Sequence, residues 1–197
     1  EGATASPHED SWLTLVGKEL IEIIQNLRVS GDTGAGAVTY LSLESGMILV
    51  DSGASQFIIG AEAHRQLDAA LRQRGLWAVW VDKPVECPRG IGGAATVKGV
   101  ALTPTAIGGV TGTVEFIVTE EPLPGLMPGG FLDKFGAVID YPANTIEFQN
   151  LNCKVAMTRA SKHHRSIDMA DWRNSHFEPS EELLRHHGLR RSDFIAN

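Results

Sequence analysis

The segment that most constrains this chain is Met47-Ile48-Leu49-Val50, four apolar residues in a row, ending at Asp51. A short continuous apolar run reads as a strand buried on both faces. A carboxylate at the end of such a strand costs free energy unless a hydrogen bond or a partner compensates it. Gly53 permits a tight loop that turns backbone N–H groups back toward the carboxylate. Ser52, between them, places a hydroxyl where it can reach a neighbouring chain, and Ala54 and Ser55 complete the loop. This arrangement can set one carboxyl group face to face with a second. Two such groups do not both ionise at close range, so the pair keeps one proton and supplies an acid and a base together. The base would activate a water against a carbonyl, and the acid would protonate the substrate oxygen.

The surrounding chain has the texture that such a loop needs. From Ala37 to Phe148 short strand-like runs alternate with turn signals: 47–50, 57–59, 76–81, 96–102, a hairpin over 105–118 around Gly108-Gly109, then 137–139 and 145–148. A helix is predicted over 61–74, with Ala63, Leu67, Ala70 and Leu71 on one face and Gly75 as its stop. Residues 122–128 read as a loop and Phe131 to Phe135 as a helical turn. The pattern predicts a mainly β fold with short helices, closed or folded over on itself. Before it, residues 1–36 form an N-terminal extension carrying an amphipathic helix over 11–27. After it, residues 151–197 read as a polar tail, with at most one short helix over 179–187 stopped by Gly188. The tail holds five of the seven His and eight Lys and Arg against six Asp and Glu.

Three further features follow the Asp51 loop in order. A helix comes directly after it. Gly90-Ile91-Gly92-Gly93 lies between strand-like flanks. Gly112-Thr113-Val114 and Phe131-Leu132 precede Ala137-Val138-Ile139-Asp140-Tyr141. Together these resemble the retropepsin-like aspartic proteases of retroviruses and LTR retrotransposons, over roughly residues 37–150. The resemblance implies a retropepsin-like closed β-barrel. It also implies an aspartic endopeptidase of retroelement type in which Asp51 is catalytic. Ser52, Gly53, Ala54 and Ser55 would form the active-site loop, and Gly90, Ile91, Gly92 and Gly93 a flap over an extended peptide or polyprotein substrate. One such motif per chain implies a homodimer, because a twofold interface brings the same residue from both chains to one axis. The resemblance implies no metal and no cofactor. The alternative is a non-catalytic module of the same fold, used for dimerisation or peptide binding.

Leu126-Met127-Pro128-Gly129-Gly130-Phe131-Leu132 departs from the family pattern. Pro128 stands where the family has the Gly that lets backbone approach the active-site loop. Either Gly129 takes that role or the site is imperfect. Asp32-Thr33-Gly34-Ala35 matches the motif literally, but Val29-Ser30-Gly31 before it is not a buried strand and no helix follows. Asp51 is therefore the candidate.

Other classes are excluded or unsupported. The formal net charge of -7 argues against direct nucleic-acid binding, which needs Lys and Arg on phosphates. No run approaches the roughly 18 apolar residues of a membrane helix, so no membrane partner is expected. Glycines 90 and 92 lack the preceding strand and following helix of a dinucleotide loop. The clustered His of the tail lack metal-ligand spacing and read as a solvated face. Trp77 and Trp80 read as packing residues. Cys87 and Cys153 make no disulfide framework, which points to a reducing, cytoplasmic setting. The chain opens Glu1-Gly2-Ala3-Thr4 without Met or a signal-peptide pattern, so a piece of a longer chain is expected.

Overall fold

A strand of Met, Ile, Leu and Val needs neighbours on both edges and cover on both faces. A computed structural model of the chain supplies neighbours on both edges of the Met47–Asp51 strand, but of its four apolar residues only Ile48 is buried, while Met47, Leu49 and Val50 are half-buried. The structure describes residue 43 and residues 45–86, 88–90, 93–160 and 164–196. The predicted helix over 11–27, the Asp32 motif, Cys87, and Ile91 and Gly92 of the glycine-rich loop lie outside the described residues.

In chain order the strands are β1 (Met47–Asp51), β2 (Ile58–Gly60), β3 (Val79–Val81), β4 (Arg89–Gly90), β5 (Gly93–Ala94), β6 (Val97–Ile107), β7 (Val110–Thr119), β8 (Gly125–Pro128), β9 (Ala137–Asp140), β10 (Thr145–Phe148), β11 (Cys153–Ala156), β12 (Thr158–Arg159) and β13 (Arg165–Asp168). The helices are α1 (Ala61–Arg72), α2 (Gly129–Lys134) and α3 (Glu181–His187). The fold is mainly β with few helices. Eight strands pair in the order β12-β13-β1-β8-β2-β7-β6-β3, while β11-β10-β9 and β4-β5 form two smaller sheets. Among the described residues the eight-stranded ladder runs open from β12 to β3, where the sequence reading expects a closed barrel.

β1 lies between β13, antiparallel to it, and β8, parallel to it. Ile48, Met127 and Ile167, one from each of these strands, are almost wholly buried. β6 and β7 form the long hairpin. Its two-residue turn is Gly108-Gly109, both at positive φ, which is what a tight hairpin turn needs. α1 buries His64, Leu67 and Leu71 against the sheet and ends before Gly75, which takes the left-handed conformation.

Residues 151–160 and 164–196 differ from the polar tail of the sequence reading. They supply β11, β12, β13 and α3, and they bury Ile167, Met169, Trp172, Phe177 and Phe194 in the same core as β1 and β6. The C-terminal end is fixed by main-chain hydrogen bonds. Trp77 N–H donates to the Phe194 carbonyl at 2.9 Å, and Ala196 N–H donates to the Gly75 carbonyl at 2.8 Å. Within this region α3 does match the predicted short helix. Ser180 caps it by accepting from Leu183 N–H at 3.2 Å, and Gly188 ends it in the left-handed conformation.

Candidate active site

β1 carries Asp51 to the end of its parallel pairing with β8, where Asp51 stands opposite Pro128. The Asp51 residue is half-buried, while Ser52, Gly53 and Ser55 are exposed and Ala54 is half-buried. Gly53 N–H donates to Asp51 Oδ1 at 2.9 Å, the turned-back amide that the sequence implied. Ala54 N–H donates to the Asp51 carbonyl at 3.2 Å and closes the turn. An amide aimed at a carboxylate stabilises its charged form and fixes its orientation. Among the described residues, Gly53 N–H is the one donor that reaches this carboxyl group within the chain.

The close approach of backbone to the loop is made by Gly129. A Cβ there would stand 2.6 Å from the Ser52 carbonyl oxygen, and Gly129 N–H donates to the Ala54 carbonyl at 3.1 Å. Pro128 therefore removes no N–H from this contact. It sits extended, φ -77° and ψ 155°, as the residue that caps the start of α2. The glycine-for-proline question posed by the sequence is a one-residue displacement of the role. No motif spacing signals it; the close contact does.

The glycine-rich stretch forms a hairpin. Gly90 pairs with Gly93 and Arg89 with Ala94, antiparallel. Its base is tied by Ala95 N–H to the Pro88 carbonyl at 3.0 Å and by Thr96 N–H to Glu121 Oε1 at 2.8 Å. Only the backbone pairing of Gly90 and Gly93 is described; Ile91 and Gly92 lie outside the described residues.

A cavity of about 540 Å³ opens beside the loop. Ser55 and Gln56 of the loop line it, as do Pro128, Phe131 and Lys134 from β8 and α2, Glu115 and Ile117 from β7, and residues 83–86 on the way to the hairpin. Lys83 Nζ donates to both carboxylate oxygens of Glu115, at 2.7 and 2.9 Å, a cross-link between residues 32 apart that carries no sequence signal. Under the loop Phe57 meets Phe131 edge to face at 5.1 Å, and Phe131 meets Phe148 at 5.9 Å. These rings set α2 against the strands. Trp77 is half-buried, whereas Trp80 is 53% exposed, with its ring against Gly99 and 5.4 Å from that of His64. Cys153 is buried, and its thiol donates to the Ile107 carbonyl at 3.2 Å.

Among the described residues, no three His, Cys, Asp or Glu side chains come together to hold a metal ion. Among the same residues no helix is long and apolar enough to cross a membrane. One chain thus offers one oriented carboxyl group, a two-stranded hairpin and an adjoining cavity.

No protein-family model matches the chain. No curated protein matches it. Among solved structures it is similar to the retroviral protease-like domain of Ddi1 from Leishmania major, at 22% identity and a TM-score of 0.39, over 57% of this chain and 84% of that one.

Proposed function

We propose that the chain is a retropepsin-like aspartic endopeptidase of retroelement type that works as a homodimer. The observation that carries this reading is the Asp51 carboxyl group. It is held at the end of a core strand by Gly53 N–H, within a loop whose Ser52 and Gly53 stay exposed. A twofold axis through that exposed face sets Asp51 of each subunit opposite its twin. The two carboxyls share one proton, because both cannot ionise at close range. The ionised member takes a proton from a water as it attacks the scissile carbonyl, and the protonated member gives its proton to the carbonyl oxygen. Ser52 braces the two loops by hydrogen bonds across the axis, and the hairpin of Gly90 and Gly93 covers the peptide and excludes water. The substrate lies extended and pairs through its main chain. No metal or cofactor enters this chemistry.

The test compares the parent with Asp51→Asn on a peptide library between about pH 4 and 7. The parent is expected to cleave and the variant to lose cleavage. Adding Asp51→Asn in excess to the parent is expected to suppress activity, since mixed dimers hold one ionisable carboxyl. Peptide binding without cleavage by the parent would assign the chain to a non-catalytic module of the same fold. Undiminished activity in the mixing experiment would overturn the shared site.

A further inference from the structure

We infer that Glu121 is a positioning residue that fixes the root of the β4–β5 hairpin, a role that rests on the proposed reading of that hairpin as the cover of a bound peptide. The β6–β7 ladder ends at the pair of Val97 and Thr119. One residue further out, Thr96 joins β6 to the hairpin. Its carbonyl still accepts from a main-chain amide, Glu120 N–H, at 2.9 Å. Its own N–H donates instead to a side chain, the Glu121 carboxylate, at 2.8 Å from Oε1. The carboxylate thus stands in for the carbonyl that the next rung of the ladder would supply. A hydrogen bond to a charged oxygen is shorter and stronger than one to a neutral carbonyl. Ala95 N–H donates to the Pro88 carbonyl at 3.0 Å, so the hold on Thr96 reaches both legs of the hairpin.

The backbone of Glu121 is fixed as firmly as its side chain. Leu123 N–H donates to the Glu121 carbonyl at 2.8 Å, and Gly60 N–H donates to the Leu123 carbonyl at 3.0 Å. Gly60 lies so close that a Cβ there would run into the Glu121 carbonyl. Gly60 ends β2, the strand that follows the Asp51 loop. Glu121 therefore fastens the hairpin root to the strand that continues from Asp51, and the two share one mount. The hairpin needs such a mount. Its strands are two residues each, and a ribbon that short has little stability of its own. β6 also shifts register between Val97 and Gly99, and a bulge aims the leg without holding it. Burial alone would push the Glu121 carboxyl up, but the amides of Thr96 and of Glu121 itself outweigh it and hold it below the usual carboxylate range. The group is ionised at neutral pH, and the bond to Thr96 is charge-assisted there.

Three variants of the full chain separate reach from charge. Glu121→Ala removes the acceptor. Glu121→Asp keeps the charge but withdraws it by one methylene. Glu121→Gln keeps an acceptor oxygen at full length without the charge. Hydrogen exchange at the amides of residues 93–96 is expected to quicken about tenfold in the Ala and Asp variants and to stay within about threefold of the parent in the Gln variant. Exchange over β10 and β11 is expected to stay at the parent rate in all three. On peptides that the parent cleaves, the Ala and Asp variants are expected to raise KM about three- to tenfold with kcat within about twofold, because only molecules with the hairpin in place bind peptide well. The Gln variant is expected to keep the parent KM. A merely structural loss would lower kcat per chain through the unfolded fraction and leave KM alone. If Glu121→Ala does not fold, the Asp and Gln variants carry the same comparison. Unaltered KM or unaltered exchange at 93–96 in the Ala and Asp variants overturns the role of Glu121. So does a Gln variant as impaired as the Asp variant, or exchange that quickens equally over β10 and β11. If the parent binds peptides without cleaving them, the endopeptidase reading falls and fluorescence anisotropy takes the place of KM. Binding weakened in the Ala and Asp variants but not in Gln then upholds the role, and equal binding overturns it. A parent that neither binds nor cleaves overturns both.

Discussion

At the scale of single residues, Gly129 and His64 each give a distinct expectation. Gly129→Ala drives a Cβ into the Ser52 carbonyl, whereas a Cβ on neighbouring Gly130 meets nothing within 4 Å. Overpacking against backbone costs about 1–3 kcal/mol. Gly129→Ala is therefore expected to lose about that much stability, along with the proposed cleavage, while Gly130→Ala stays within about 0.5 kcal/mol; urea denaturation of the two side by side checks it. His64 is 4% exposed, with its ring 3.3 Å from the Thr103 hydroxyl. Burial pushes its pKa below the usual imidazole value, and the charge of Asp68 only partly opposes this. The unfolded chain, with its histidine near 6.5, binds the proton first as the pH falls. Stability from His64 is therefore complete above about pH 7 and is lost as the pH drops through the unfolded value toward the lower folded one. His64→Leu is expected to flatten the unfolding free energy between about pH 7 and 5 relative to the parent, as followed by denaturant midpoints at each pH. The Asp51 loop was legible at this scale because an apolar run, an acid and a glycine have only a few joint meanings. The displacement of the close-contact role to Gly129 was not, because Pro128 and Gly129 are adjacent and only the packed backbone distinguishes them.

Among elements, those with a strong local signature were the legible ones. α1 has a clean apolar face and a glycine stop, and the β6–β7 hairpin has Gly108-Gly109 at its turn. The sequence reads β6 as two pieces, 96–102 and the arm that starts at 105, with Pro104 between them. The strand continues through Pro104 because β3 pairs only as far as Leu102, and the next neighbour on β6 is the bridge from Ala106 to Ala170. Pro104 thus stands in a gap between strand neighbours, where a missing N–H is tolerated. From sequence alone β8 reads as loop. It is only four residues long and is preceded by Pro122 and Pro124, so its identity comes from its partner β1 and not from its own residues. β13 escaped for a related reason. Four residues are too few to show a period, and the apolar residues after it, Trp172, Phe177 and Phe194, reach the core one at a time. If β13 is part of the core, Ile167→Ala should destabilise by about 2–5 kcal/mol. Val138→Ala on β9, where Val138 is 49% exposed, should change stability by less than about 0.5 kcal/mol. Equal losses in the two, by thermal or urea unfolding, would return residues 164–196 to a peripheral role.

For the molecule as a whole, one chain presents one Asp51, and the proposed chemistry needs two. Specific activity is expected to fall on dilution below the dimer dissociation constant and to recover on concentration, with sedimentation tracking the same transition. Activity that stays constant per chain while the protein sediments as a monomer would remove the homodimer. The strand that carries Asp51 also has a consequence for the order of events in the cell. β1 is made early, yet its two neighbours are β8 and β13, the latter built from residues 165–168. Such non-local pairing closes late and slowly. While a ribosome is still extending the chain toward residue 168, the Met47–Leu49 stretch of β1 has an unfilled edge. The strand that carries Asp51 is therefore paired on both edges only after residue 168 has emerged.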